Sequence, residues 1–311
     1  ARADRRGGGK PPSMVREYLE VIMAARPDDL DIVPRHPEFA VHEAMRRNRY
    51  WLKDDPVLTH FINALQALFP EGERFFIDSA RDVRDQVGEE NLPGQLRADL
   101  KDFIRQEAWH GREHEQWLEA LEELGYTRMA ESSERLKKLR EWSREHVSAM
   151  NRLALTAAAE HLTASIARLL LEKRPDLLDE ADRPLRDLLA WHALEETEHK
   201  SVCFDLYRAA GGGYFRRTIA LIFEWGDLFY QTHVRHRYLL RKDGLWNWKT
   251  RWKVLRDIWG PGGLASSLLP YALGYLKPGF HPWQTDERAE FIARYGHLIE
   301  AATAAQASSS A

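Results

Sequence analysis

Apolar residues along most of this chain recur three and four positions apart, the period of a helix with one buried face. Strand-like alternation is nearly absent, so the pattern predicts an all-α protein punctuated by Pro and Gly. A short helix is expected from about Pro56 to Leu68, and Pro70 then fits the first turn of the next one. Pro93-Gly94 opens a long helix reaching about Leu124, before Gly125. A further helix of unusual length is expected from the Ser132-Ser133-Glu134 region to Lys173. Pro184 lies near the start of another, which ends before Gly211-Gly212-Gly213, and a fifth runs from about Tyr214 to Leu240. Residues 1–13 and 304–311 lack periodicity and are expected to be tails. Between them, 14–303 reads as one helical domain with a C-terminal extension from about 214.

Several apolar stripes carry charge at their centres. One passes from Leu96, Leu100 and Phe103 through Glu107, His110 and His114 to Leu118. A second passes from Leu185 and Leu188 through His192, Glu196 and His199 to Cys203 and Leu206. A third places Glu160 between Leu153, Thr156 and Thr163, Ala164, Ala167, Leu171. An isolated buried carboxylate costs several kcal/mol unless it is neutralised or coordinated. The order Glu73, Glu107-x-x-His110, Glu160, Glu196-x-x-His199 supplies one Glu from each of two helices and a Glu-x-x-His pair from each of two others. That is the ligand set of a four-helix bundle holding two metal ions. The intervals of 34, 53 and 36 residues each fit a helix plus a turn, with room for a longer crossover in the middle.

Neighbouring ionisable groups divide by their angle on the helix. His192, four residues before Glu196, can reach the same ions, and His114, four after His110, is a further candidate. His161 sits about 100° from the Glu160 direction and is expected to pack or to orient a ligand. Glu113, Glu115, Glu195 and Glu198 lie off the stripe centres and read as surface groups or as partners orienting the ligands. His110-Gly-Arg-Glu113-His114 also matches H-x-x-E-H, an inverted zinc-peptidase pattern. It uses a single helix and leaves Glu73, Glu160 and the second Glu-x-x-His unexplained, so two ions account for more of the chain.

Bulk composition narrows the function classes. The chain has 311 residues and a net charge of −3, with no global pull toward nucleic acid. A lone cysteine, Cys203, excludes an internal disulfide framework and fits a reducing compartment. No apolar run reaches a membrane span, and the Arg- and Gly-rich start does not read as a signal peptide, so a cytoplasmic protein is expected. Gly7-Gly8-Gly9-Lys10 is followed by Pro11 and is not a phosphate loop. Residues 235–259 interleave Lys and Arg with Trp246, Trp248, Trp252 and Trp259. This suits a peripheral membrane contact or an anionic, apolar substrate. The alternative is a basic surface whose Trp pack on the bundle.

The segments Phe69-Pro-Glu-Gly-Glu73-Arg-Phe-Phe76, Gln106-Glu107-Ala-Trp-His110, Trp191-His192-Ala-Leu-Glu-Glu196-Thr-Glu-His199-Lys200 and Phe280-His-Pro-Trp283 resemble those of the ferritin-like family of predicted metal-dependent hydrolases. The resemblance spans roughly residues 35 to 300 and implies a ferritin-like four-helix bundle with additional N- and C-terminal helices. The ligand layout is also similar to that of the di-iron arylamine N-oxygenases, whose pattern ends in His-x-x-x-Glu-x-x-His. Carried onto this chain, it implies Glu73, Glu107, His110, Glu160, His192, Glu196 and His199 as ligands. The expected cofactor is two iron ions, with manganese or zinc as substitutes. Glu107 and Glu196 would bridge, Glu73 and Glu160 would be terminal, and His110 and His199 would serve one ion each. The expected activity is O2-dependent oxidation of a small molecule with an electron donor, in a chain free to form an oligomer. Metal-dependent hydrolysis and ferroxidase-like iron handling are the alternatives.

Overall fold

The predicted stripes form helices, and four of these close a ring around the charged positions. The structure, a computed structural model, describes residues 25–309, with side chains described to residue 300. The expected tail 1–13 lies outside the described residues. In chain order the helices begin with α1 (Val41–Arg47), α2 (Pro56–Gln66), α3 (Phe69–Val87), α4 (Gly94–Glu123), α5 (Arg128–His146) and α6 (Ala149–Glu172). They continue with α7 (Asp176–Asp179), α8 (Arg183–His199), α9 (Val202–Ala209), α10 (Tyr214–Lys242), α11 (Trp248–Val254), α12 (Leu264–Gly274) and α13 (Arg288–Ser309). A π-turn at Leu255–Trp259 follows α11. The last helix carries regular structure into the segment expected to be tail. No strand forms among the described residues.

Helices α3, α4, α6 and α8 are the ring: α3 packs on α4 and α6, and α8 on α6 and α4. Pro and short polar side chains set their starts. Asp55 caps α2 by accepting from the Val57 and Leu58 amides, and Pro70 stands in the first turn of α3. Gly125, at φ +92°, turns the chain after α4.

Two expected helices are each broken in two. The long helix predicted to run to Lys173 stops at His146, because Val147 and Ser148 are extended and the Ser148 hydroxyl caps α6 by accepting from the Asn151 amide. Their composition explains the break. Helix α5 buries only Met129 and Ser143 and crosses outside the bundle, whereas α6 is rich in buried Ala and Leu. Helix α5 thus fills the long middle interval. The second break separates α8 from α9 at Lys200-Ser201, immediately after His199, yet Cys203 and Leu206 stay on the buried side.

The apolar core forms two clusters with the charged residues between them. Along α4 the stripe leaves one cluster at Phe103, passes Glu107, His110 and His114, and enters the other at Trp117. Along α8 it runs the opposite way, from Leu188 through His192, Glu196 and His199 to Val202 and Cys203. The additional helices cover the bundle: α10 lies along α6 and α2, α12 on α6, and α13 on α8.

One polar pin fixes α2 against the ring. The Asn63 side-chain oxygen accepts from both buried indoles, Trp51 at 3.2 Å and Trp117 at 3.1 Å. Asn63→Leu would keep the volume and leave two N–H groups unpaired, at a cost of roughly 2–5 kcal/mol. Urea unfolding of the variant should show that loss; an unchanged midpoint would contradict the pin.

Candidate metal centre

Helical period brings the predicted residues to one point. Glu73 on α3, Glu107, His110 and His114 on α4, Glu160 on α6, and His192, Glu196 and His199 on α8 are all buried. His199 Nε2 lies 3.2 Å from a Glu107 oxygen, 3.3 Å from Glu160 and 3.5 Å from Glu196. Toward the other end, His192 Nε2 is 2.9 Å from Glu196 and 3.7 Å from Glu73, and His114 Nε2 is 3.2 Å from Glu73. His110 Nδ1 stands between, 3.5 Å from Glu107 and 3.7 Å from Glu196. Four groups of three could each hold an ion: Glu107 with Glu160 and His199; Glu73 with Glu107 and His110; His110 with His192 and Glu196; and Glu73 with His114 and His192. Among these His110 and His114 never share a group, and Glu113 belongs to none, so the geometry does not assemble the zinc-peptidase pattern.

A helical glycine permits this approach. A Cβ on Gly111 would meet a Glu73 carboxylate oxygen at 3.3 Å. Gly inside a helix costs about 1 kcal/mol relative to Ala, and here it leaves room for α3 to bring its carboxylate against α4.

Beneath the cluster, a set of polar contacts fixes which ring nitrogens face it. His110 Nε2 lies 3.0 Å from Glu195, whose other oxygen accepts from the Trp191 indole at 3.0 Å. His199 Nδ1 lies 2.8 Å from the Gln106 oxygen, and the Gln106 amide donates to Glu198 at 3.0 Å. Arg35 joins both branches, with Nη1 3.2 Å from Glu195 and Nη2 2.7 Å from Glu198. Glu195 and Glu198 can only accept when ionised, and the Gln106 oxygen only accepts. When these rings are neutral, the outer nitrogens of His110 and His199 therefore carry the proton, and the inner ones present lone pairs. This is the arrangement that orients an imidazole toward a metal.

Of the four off-stripe carboxylates, then, Glu195 and Glu198 take the orienting role. Glu115 pairs with Arg74, and Glu113 is buried away from the cluster. His161 packs against the rings of Tyr275 and Phe280. Arg35 was not legible beforehand, because it lies in a non-periodic segment 160 residues before Glu195. The Phe280-His-Pro-Trp283 element also finds its place. His281 bonds Asp205 at 3.0 Å and the Trp283 indole donates to the Ser201 hydroxyl at 2.8 Å, clamping the break just after His199.

Charge in the cluster is poorly compensated by the protein alone. Burial, then the carboxylates Glu107, Glu196 and Glu160, push Glu73 well above the usual carboxylate range. Burial lifts Glu107 to about 8 against the pull of His199, and burial with Glu107 lifts Glu160 to about 8. For Glu196 burial opposes ionisation, but His199 and His192 outweigh it and hold its carboxyl well below the usual range. His199 is raised well above an ordinary imidazole by Glu196 and Glu160, despite its burial. Burial and neighbouring imidazoles lower His114 and His192. Both oxygens of Glu73, Glu107 and Glu160, and the inner nitrogens of His110, His192 and His199, are buried without hydrogen-bond partners. So are both nitrogens of His114. Clustered donors of this chemistry, aimed at one another and unsatisfied, fit metal ions.

An apolar cavity of about 270 Å³ opens beside the cluster, lined by Phe69, Phe76, Leu162, Thr163, Ile166 and Leu228 among others. A smaller one of about 50 Å³ shares Phe69, Thr163 and Ile166 and reaches His192 and Glu196 themselves. The Thr163 hydroxyl donates to Glu196, and the Phe69 ring packs on His114 and His192 at centroid distances of 4.9 and 5.4 Å. Neither Thr163 nor Phe69 was predicted to take part.

Fold and site together define a helical bundle with a buried carboxylate–histidine cluster able to bind metal. The family is specific: the profile of the predicted metal-dependent hydrolases matches residues 33–286, and the chain belongs to that family. Comparison with curated proteins and with solved structures returns no match.

The shifted carboxyls set a pH dependence. The folded, metal-free protein keeps protons on Glu107 and Glu160 that the unfolded chain has lost, so the stability they contribute falls as pH rises through about 8. The raised His199 acts in the same direction. Ions that replace those protons should remove this loss, because the carboxylates are then ionised in the loaded and the unfolded protein alike. The melting-temperature gap between manganese-loaded and metal-free protein is expected to widen from about pH 7 to about pH 8.5; a constant or shrinking gap would contradict it.

Proposed function

We propose that Glu73, Glu107, His110, Glu160, His192, Glu196 and His199 hold two iron ions, and that the protein uses O2 to oxidise an apolar small molecule. The observation that carries this reading is the set of buried carboxylate oxygens and imidazole nitrogens without partners. Two divalent ions balance the four carboxylates. Oxygen-rich donors with one or two imidazoles per ion suit iron or manganese better than a tetrahedral zinc site. Glu73, Glu107, His110 and His192 each occur in two of the four groups, so the donors form one continuous set that would hold both ions.

Bound iron supplies one-electron chemistry with O2 that carboxylates and imidazoles lack. The remaining tasks fall to the chain. Glu195 and Gln106 hold the outer protons of His110 and His199 and so fix both rings. Thr163 donates to Glu196 on the side of the cavity and steadies that carboxylate. Phe69, Leu162 and Ile166 keep the approach apolar, favouring an apolar substrate and excluding bulk water. An external electron donor completes the stoichiometry of an oxygenase.

A second reading, metal-assisted hydrolysis, is favoured by the family's description. One comparison separates them. Anaerobic ferrous protein mixed with O2 should consume it with an optical change. His192→Ala should retain iron and lose about tenfold or more in rate, or about 1.4 kcal/mol of barrier. Two tightly held zinc ions, no response of the ferrous form to O2, and ester or amide cleavage under anaerobic conditions would instead establish the hydrolase.

A further inference from the structure

The surface around the cavity mouth is unlike the rest of the molecule. All the large hydrophobic side chains that stand exposed among the described residues, except Val33 and Ile292, belong to α5, α10, α11, α12 and the π-turn. On α10, Phe215, Ile219, Ile222 and Phe223 form one outward stripe, with Phe215 79% exposed. The opposite side of that helix buries Ala220, Leu221, Phe229 and Leu239 against the bundle. Helix α10 is thus apolar on two sides along its first half, and a helix apolar all round ordinarily has both sides covered.

Neighbouring elements extend the patch. Helix α12 flanks α10 across a small apolar cavity lined by Phe229 and Leu268, and it exposes Leu269 and Leu273. Trp259 of the π-turn packs on Phe229 at 5.2 Å, tying that turn to the same side of α10. Just before it, α11 exposes Trp248 (73%) and Trp252 (62%). The alternative in which the Trp of this segment pack on the bundle thus holds for Trp246, which lies against the apolar core, and not for Trp248 and Trp252, which stand mostly in solvent. Phe223, Leu139 and Trp142 are each more than half exposed and also line the large cavity, so its mouth opens within the patch.

Charge decides what covers such a face. Residues 214–259 contain ten Lys and Arg against four Asp and Glu, in a chain whose net charge is −3. Arg216, Lys249 and Arg251 are exposed beside the hydrophobic positions, with Lys249 over the Trp248 ring at 5.9 Å. A two-fold contact between copies would set such cations beside one another. Exposed Trp and aliphatic side chains bordered by Lys and Arg are the composition of a surface seated in the headgroup layer of an anionic bilayer. No helix among the described residues is long and apolar enough to cross a membrane, so such a contact is peripheral.

We propose that this face docks on an anionic lipid bilayer, with the cavity mouth turned toward the acyl chains. The docking stands on the surface alone. That the cavity draws an apolar substrate from the bilayer rests on the function proposed above. Flotation of the full chain with phospholipid vesicles tests the docking without reference to metal or turnover. The protein should float with vesicles containing about one-third phosphatidylglycerol, less with phosphatidylcholine alone, and progressively less as salt is raised. Ile219→Glu combined with Trp252→Glu, two exposed positions that line no cavity, should lower partitioning about tenfold or more. Unchanged melting temperature and metal content would show that the variant is folded. Absence of flotation with anionic vesicles, or flotation indifferent to the double substitution, would overturn the proposal. So would a dimer in sedimentation that the substitutions dissociate while vesicles go unbound, because the face would then be covered by a second copy.

Discussion

Everything in this bundle is arranged around the cost of burying four carboxylates and four imidazoles in the middle of an apolar core. Placed there singly, a charged carboxylate would cost several kcal/mol, more than the roughly 1.5–3 kcal/mol gained by burying a Leu at the same point. The protein's own cations offset only part of that cost, through His199 beside Glu196 and Glu160. Arg35 stands one layer out, paired with Glu195 and Glu198, and the inner carboxylates are left facing one another. Protons on Glu73, Glu107 and Glu160 offset the charge when nothing else does. A cluster that must be protonated or metallated to be tolerated is a site, and the rest of the fold holds it in place.

That holding has two scales. Apolar clusters on either side of the site fix the axial positions of α4 and α8, so Glu-x-x-His on each helix meets its counterpart at the same depth. Around the site, hydrogen bonds fix ring orientation. The layer that runs from Arg35 through Glu195 and Glu198 to His110 and His199 aims each imidazole inward. The clamp of His281 and Trp283 on the break after His199 ties the C-terminal region to the same helix. On the α6 side the layer is thinner and apolar, and the two cavities lie there.

Legibility in the sequence followed the range of the forces. Helices with strong period were readable, and so were the residues interrupting their stripes, because periodicity reports burial and a charge at a buried position is anomalous. The two helix breaks were not readable in the same way. At Val147-Ser148 and Lys200-Ser201 no Pro or Gly marks the interruption, and it depends on where the next helix packs. The roles of Arg35, Phe69 and Thr163 were not readable, because contacts across the chain define them. Glu195 and Glu198 were seen as off-stripe groups, but whether they faced solvent or a partner turned on Arg35. The exposed apolar side of α10 was hidden by the same logic, since a stripe on two faces looks like one strongly buried helix.

Metal occupancy of the cluster is the claim on which the remainder rests, and anomalous diffraction from metal-loaded crystals addresses it directly. Two ions per chain are expected, one within reach of Glu107, Glu160 and His199 and the other near His110, His192 and Glu196, with both signals lost in Glu107→Ala. A single ion held by His110 and His114, or a folded protein that takes up none, would contradict it.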